Sequence, residues 1–120
     1  MTQQSLIKKS ISGKRTISLA AITATKMVQY TSNHMKLVSL LKTTGFLTSI
    51  TVLNNDEINI ELQLDYSENK EYFVPSKSSI ALTEVHYEGF NIVNLDDAID
   101  STAGRITVIA GYEMPLSKEK

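Results

Sequence analysis

The 120-residue sequence predicts an α+β protein of two small lobes, an N-terminal α-β-α-β-β lobe over residues 1–74 and a mainly β C-terminal lobe over residues 75–120. In the first part, apolar residues at helical spacing precede a run with strict two-residue alternation. In the second part, short strand-like runs are separated by turn residues. An apolar content of 42% is sufficient for a hydrophobic core, in one domain or in two lobes that share an interface.

The N-terminal part is predicted to contain two helices with a short extended segment between them. Apolar residues at helical spacing predict the first helix over residues 5–25, and residues 26–30 have extended character. The second helix is predicted to begin after Thr31 or Ser32, whose hydroxyl groups can cap it. It is predicted to end at Gly45, because glycine readily takes the left-handed conformation that follows many helices.

A β-hairpin is predicted next. Apolar residues alternate with polar ones over residues 57–66, so one face of this strand is expected to be buried. Residues 47–53 form the preceding strand, and residues 54–56 (Asn-Asn-Asp) are of types that favour a turn. A further polar turn then leads to an apolar run at residues 72–74.

The C-terminal part carries weaker patterns that favour strands. Residues 75–79 (Pro-Ser-Lys-Ser-Ser) are predicted to form a loop, and residues 80–87 and 105–110 have strand character. Residues 95–99 fit either one turn of helix or an extended segment. Residues 115–120 are predicted to be a loose tail.

Charge is distributed very unevenly along the chain. The first 55 residues contain seven Lys or Arg and no Asp or Glu, whereas the remaining 65 contain five basic and thirteen acidic residues. The two parts therefore carry about +7 and −8, although the formal net charge is −1. A cationic segment of this kind favours binding to a polyanion. The alternative interpretation is that these cations lie on a helix face that contacts only solvent.

The sequence gives little support to an enzyme or a metal protein. There is no cysteine, and the two histidines, His34 and His86, stand in different elements without metal-ligand spacing. Asp96, Asp97 and Asp100 lack the glycine and glutamate of a calcium loop, so a solvated turn is the simpler interpretation. No run approaches the roughly 20 apolar residues of a membrane span. We therefore predict no catalytic residue, cofactor, metal, membrane or small-molecule substrate.

A loop at residues 101–105 (Ser-Thr-Ala-Gly-Arg) is a second candidate for nucleic-acid binding. Its small hydroxyl groups, glycine and arginine can approach a nucleic-acid backbone closely and donate hydrogen bonds to it. A simple turn between two strands explains the same string of residues equally well.

Several short segments also occur in the order and spacing of a known family. Residues 26–32 read Lys-Met-Val-Gln-Tyr-Thr-Ser, residues 40–47 read Leu-Leu-Lys-Thr-Thr-Gly-Phe-Leu, and residues 101–107 read Ser-Thr-Ala-Gly-Arg-Ile-Thr. Together they resemble the universal small-subunit ribosomal protein eight family, over about residues 5–107. In place of the second serine of the family's hydroxyl loop stands Ala103, and that loop is one residue shorter.

This resemblance implies a two-lobed α+β protein that binds the central domain of small-subunit ribosomal RNA beside neighbouring small-subunit ribosomal proteins. The divergence of its motifs indicates a mitochondrial ribosome, in the mitochondrial matrix, with a cytoplasmic location as the alternative. The residues predicted to contact RNA are Lys8, Lys9, Lys14, Arg15, Lys26, Ser76, Lys77, Ser101, Thr102, Gly104, Arg105 and Thr107.

A different class of function fits the other half of the chain. The protein is then a small α+β protein-interaction module, phage-borne or regulatory, that uses its acidic C-terminal half. Its working surface would include Glu84, Glu88, Asp96, Asp97 and Asp100. Reversal of the N-terminal cations separates the two hypotheses, because it abolishes binding only in the ribosomal one.

Overall fold

The computed structural model describes residues 10–64 and 71–115, and these residues form eight strands and one helix. In chain order the elements are β1 (Ser10–Ser18), β2 (Met27–Tyr30), α1 (Met35–Thr44), β3 (Ser49–Asn54), β4 (Ile60–Leu64), β5 (Glu71–Val74), β6 (Ser78–Leu82), β7 (Phe90–Asn94) and β8 (Ile106–Pro115).

The strands form two antiparallel sheets of four strands each. Sheet 1 has the order β1-β8-β3-β6 and sheet 2 has the order β2-β7-β4-β5. Consecutive strands therefore tend to lie in different sheets, and the last strand, β8, lies between β1 and β3. This strand order is that of an eight-stranded jelly roll.

One hydrophobic core lies between the two sheets. Side chains alternate between the two faces of each strand, and most of the inward positions are apolar. In sheet 1, Ile17 pairs with Val108, and Val52 pairs with Val108 from the other side. In sheet 2, Leu62 pairs with Ile92. All of these side chains are at most 4% exposed and belong to the same core cluster.

The prediction of an α+β fold with an N-terminal α-β-α-β-β lobe is wrong. Where a first helix was expected, residues 10–18 form strand β1, while residues 5–9 lie outside the described residues. β-Branched residues such as Ile11, Thr16 and Ile17 lower helix propensity, and β8 offers β1 a long antiparallel partner. Segments on both sides of the predicted boundary between residues 74 and 75 contribute strands to each sheet.

The predicted hairpin is also wrong, although its strands exist. β3 and β4 follow each other along the chain, but β3 pairs with β6 and β8 whereas β4 pairs with β5 and β7. Residues 55–59 carry the chain from one sheet to the other. The alternation in residues 57–64 is confirmed, since Ile58, Ile60, Leu62 and Leu64 are all buried; residues 65 and 66 lie outside the described residues.

The second predicted helix is confirmed as α1, with a different N-cap. His34 caps it, because its Nδ1 atom accepts a hydrogen bond of 3.1 Å from the backbone N–H of Lys36. Gly45 takes the predicted left-handed conformation with φ of 82°, and its N–H donates to the carbonyl of Leu41. The helix buries Leu37 and packs beside β1 and β8.

The remaining C-terminal predictions are partly confirmed. A strand was predicted at residues 105–110, and β8 covers residues 106–110. A strand was also predicted at residues 80–87, but β6 ends at Leu82. The apolar run at residues 72–74 lies in β5. The predicted loop at residues 75–79 ends earlier, because Ser78 and Ser79 already pair with β3. Pro115 is the last residue of β8, and the rest of the predicted tail lies outside the described residues.

The connections divide between the two ends of the sandwich. Residues 19–26, 55–59, 75–77 and 95–105 lie at one end, which we call the loop end, and residues 95–99 have no regular secondary structure there. Helix α1 and residues 83–89 lie at the opposite, helical end. Within residues 10–64 and 71–115, no helix has the length and apolar composition needed to cross a membrane.

Candidate protein-docking surface

The outward face of sheet 2 carries apolar side chains where a β-sandwich normally has polar ones. Met27 of β2 pairs with Val93 of β7, which pairs with Glu61 of β4, which pairs with Phe73 of β5. Residues paired across antiparallel strands point to the same side of the sheet. Their neighbours along each strand are the inward residues, so this row of four faces outward.

Two members of this row are among the most exposed large apolar side chains in the described residues. Met27 is 52% exposed and Phe73 is 58% exposed. Leu95, which is 41% exposed, extends the same face by one row, because its N–H donates to the carbonyl of Asn59 and continues the β4–β7 pairing. Three strand spacings separate Met27 from Phe73, a distance of about 14 Å.

A second outward row, nearer the helical end, is polar. It runs Gln29, Asn91, Gln63 and Glu71 across the four strands. The side-chain amide of Asn91 donates to Gln63 at 3.1 Å, and that of Gln63 donates to the carboxylate of Glu61 at 2.8 Å. These bonds hold the polar side chains in place. The outer face of sheet 2 therefore combines a fixed polar row with an apolar row, and its charged side chains are acidic.

The outer face of sheet 1 has a different composition. Its outward positions are mostly small hydroxyl residues, among them Ser12, Thr16, Thr51 and Ser79. Toward the helical end this face holds a shallow groove of about 280 Å³. Met27, Phe73 and Leu95 share the outer face of sheet 2, whereas the other exposed large apolar side chains, Ile11, Met35 and Ile99, are scattered over other parts of the described chain. Sheet 2 is therefore the stronger candidate for a docking surface.

The structure brings three of the predicted RNA-binding cations to the loop end and separates them from the two that it places in β1. Lys14 and Arg15 are successive residues of β1, so their side chains point to opposite faces of sheet 1. Lys26 and Arg105 lie at the loop end, and so does Lys77, which forms an exposed ion pair with Glu57 at 3.0 Å. Lys8 and Lys9 lie outside the described residues.

The loop at residues 101–105 is tied down by bonds within the protein. Ser101 is 4% exposed, and its hydroxyl accepts a hydrogen bond of 2.6 Å from the N–H of Ile22. The N–H of Thr102 donates to the buried carboxylate of Asp56 at 2.7 Å. Gly104 has φ of 85°, a left-handed conformation that suits glycine in this turn. The loop therefore has a structural role, and its only exposed side chains are those of residues 102, 103 and 105.

The last two residues predicted to contact RNA, Ser76 and Thr107, lie in different parts of the fold. The hydroxyl of Ser76 donates to the carbonyl of Asp56, so it is part of the loop-end framework. Thr107 lies in β8 on the outer face of sheet 1, paired with Ser18 and Leu53. Assignment of these residues to RNA binding stays a prediction.

Two buried asparagines hold the loop end together, and the sequence analysis missed them. Asn54 and Asn94 are both 0% exposed and each ends a strand. The amide of Asn94 donates to the carbonyls of Ile22 and Ile99, and its oxygen accepts from the N–H of Asp96. Asn54 makes the corresponding set of bonds. The signal was an Asn-x-Asp tripeptide repeated at the ends of two alternating apolar strands.

The acidic residues named for the interaction hypothesis do not form one surface. Glu84 and Glu88 lie at the helical end, whereas Asp96, Asp97 and Asp100 lie at the loop end, with the length of β7 between them. The carboxylates of Asp96 and Asp100 accept backbone N–H groups within the loops. The interaction hypothesis therefore needs another surface, and the outer face of sheet 2 supplies one.

The histidines have structural surroundings. His34 caps α1 and its ring meets the edge of Tyr30, while His86 stacks on Phe46 with ring centroids 4.3 Å apart. Burial raises the pKa of the Tyr30 phenol, which stacks on Phe90. In the part of the chain that the structure describes, no three His, Asp or Glu side chains are grouped so as to hold a metal ion.

Fold and surface together define a jelly-roll domain with an apolar and acidic outer face on one sheet. Comparisons of the chain with protein-family models, curated protein sequences and solved structures gave no match.

Proposed function

We propose that this protein is a non-catalytic interaction module that docks onto a partner protein through the outer face of sheet 2. The observation that carries the proposal is the row of outward apolar residues on that sheet, led by Met27 and Phe73. Full burial of a large apolar side chain contributes about 1.5–3 kcal/mol, so burial of the exposed half of Met27 or of Phe73 contributes about 1–1.5 kcal/mol. Two or three such side chains are sufficient for the central energetic cluster of a specific interface.

The polar residues of the same face indicate the chemistry of the partner. Glu61 and Glu71 are the charged side chains in its two rows, and both are acidic. A complementary surface therefore combines apolar side chains with Lys or Arg placed opposite Glu61, which lies between Val93 and Phe73, and opposite Glu71. Opposite charges steer association and exclude partners of like charge. Most of these residues belong to the acidic C-terminal part of the chain, as the interaction hypothesis expects.

The alternative, binding to ribosomal RNA in a mitochondrial ribosome, stays a prediction that experiment can test. It depends on cations acting together, but Lys14 and Arg15 face opposite sides of β1, while Lys26 and Arg105 lie at the loop end. Each surface therefore offers few phosphate contacts. We place docking by the apolar face first for this reason.

The two hypotheses are separated by affinity capture with matched variants of the immobilised protein. The face variant is Met27→Ser/Phe73→Ser, and the cation variant is Lys14→Glu/Arg15→Glu. All four positions are exposed, so both variants are expected to fold. We expect a partner protein to be retained by the wild type and the cation variant, with or without ribonuclease, and to be lost with the face variant.

Calorimetry with the identified partner then gives the size of the effect. We expect the face variant to weaken the dissociation constant by at least about thirtyfold, because two side chains that contribute about 1 kcal/mol each give about 2 kcal/mol. Retention of ribosomal RNA that disappears with the cation variant overturns the proposal in favour of the ribosomal hypothesis. Equal capture by the face variant and the wild type overturns it as well.

A further inference from the structure

Strand β6 is an edge strand of sheet 1 that lacks the usual protection against pairing with another strand. Its sequence, Ser78–Leu82, contains neither a charged residue nor proline. The opposite edge of the same sheet is protected, because β1 carries Lys14 and Arg15 and the ammonium group of Lys36 binds the carbonyl of Thr16 at 2.9 Å. In sheet 2, the edge strand β5 carries Glu71 and is followed at once by Pro75.

The register of sheet 1 shows which backbone groups of β6 face outward. The N–H of Asn55 donates to the carbonyl of Arg105, and hydrogen-bonded pairs alternate with non-bonded pairs along an antiparallel ladder. Because of this alternation, the backbone N–H and C=O groups of residues 50, 52 and 54 in β3 point toward β6. Their partners Ser78, Ile80 and Leu82 therefore bond to β3, while the N–H and C=O groups of Ser79 and Ala81 point away from the sheet.

We propose that β6 pairs with the β6 strand of a second copy of this chain, antiparallel and about a two-fold axis at Ile80. In this arrangement Ser79 of one copy faces Ala81 of the other, and both residues have outward backbone groups that can bond. The facing side chains are small, so they do not hinder the approach. On the inner side, the half-buried Ile80 meets its own symmetry mate, and each Leu82 meets Ser78 of the other copy.

The charges of the strand are compatible with the same register. No like charges face each other within β6, because Ser78–Leu82 contains no charged residue. Lys77 lies just outside the paired strand, since its φ is 62° and it forms an ion pair with Glu57 of its own chain. This pairing uses the edge of sheet 1 and does not depend on the docking face of sheet 2.

Sedimentation equilibrium of the full chain over a range of concentrations tests the pairing. The wild type is expected to reach twice the 13.3 kDa mass of the chain. The variants Ser79→Lys/Ala81→Lys and Ser79→Glu/Ala81→Glu each place like charges opposite each other in both residue pairs. Each variant alone is expected to weaken the dimer by at least about tenfold.

Mixing the two charged variants supplies the decisive result. An equimolar mixture is expected to regain the dimer, because each Lys then faces a Glu. The matched control, Ser12→Lys/Thr16→Lys, places the same charges on the outer face of β1 and is expected to leave the wild-type association unchanged. A wild type that remains monomeric overturns the proposal, and so does a dimer that persists in the charged variants. Failure of the mixture to associate overturns the proposed register.

Discussion

Replacement of Asn54 by alanine is expected to destabilise the loop end of the sandwich strongly. The Asn54 amide donates to three backbone carbonyls, those of Ile58 at 2.9 Å, Val74 at 3.2 Å and Pro75 at 3.1 Å. Its side-chain oxygen accepts the N–H of Asp56 at 3.0 Å. One side chain thus joins the end of sheet 1 to the loop and to the end of β5 in sheet 2.

The magnitude follows from the burial of these groups. Asn54 is 0% exposed, so alanine leaves backbone groups in the interior without their partner. Each buried group left unsatisfied costs about 1–3 kcal/mol, and the carbonyls of Ile58, Val74 and Pro75 share a single amide group. We therefore expect a loss of about 3–5 kcal/mol. For a chain of this length, this is a fall in Tm of about 12–20 °C.

Urea unfolding followed by circular dichroism measures this loss, with the neighbouring Asn55→Ala as the control. Asn55 is exposed, and its two hydrogen bonds, from its N–H to Arg105 and from Lys77 to its carbonyl, use backbone atoms that alanine retains. The control is expected to change stability by less than about 0.5 kcal/mol. A loss of unfolding free energy below about 1 kcal/mol in Asn54→Ala would show that the Asn54 amide does not stabilise the loop end.

Three further predictions concern other parts of the molecule. Because burial raises the pKa of Tyr30 above its ordinary value of 10.0, the folded state holds the phenolic proton more tightly than the unfolded chain does. Stability is then full below pH 10 and falls above it, and Tyr30→Phe is expected to flatten that fall in urea titrations against pH. Gly111→Ala places a Cβ atom 2.5 Å from the carbonyl oxygen of Gly13, so we expect it to cost about 2–3 kcal/mol in thermal unfolding. Gly13→Ala meets only the ring of Tyr112 and is expected to cost less, and an equal cost would contradict the strand packing. Binding to RNA, measured against salt concentration, is expected to show a slope weaker than about −2. Five cations acting together would give roughly −3.5 to −4.5, and a slope in that range would support the ribosomal hypothesis.

Local structure could be predicted from the sequence where one physical signal dominated. Alternation of apolar and polar residues predicted a strand at residues 57–66, in which β4 occupies Ile60–Leu64, and Gly45 marked the end of α1. Strand pairing could not be predicted in the same way. A hairpin and a crossing between two sheets both require one buried face, so β3 and β4 give the same alternation in either arrangement. The buried amide of Asn54, which decides between them, belongs to a residue type that is equally common in exposed turns.

The candidate docking face shows a different limit. Tyr72, Phe73 and Val74 form an unbroken apolar run, so the sequence does not reveal which side chain points outward. Only the pairing of β5 with β4 places Phe73 on the surface. The charge analysis met a related limit. It depended on a predicted helix around Lys14 and Arg15, whereas in strand β1 these two side chains lie on opposite faces of sheet 1.

The position of β8 between β1 and β3 constrains how the protein is made. During synthesis, β1 leaves the ribosome without its partner, and sheet 1 cannot close until residues near Pro115 have emerged. β1 therefore lacks its strand partner until β8 has been synthesised, and closure of sheet 1 depends on contacts between distant parts of the sequence. β1 carries Lys14 and Arg15 and no acidic residue, and like charges of this kind oppose the association of one unpaired β1 with another.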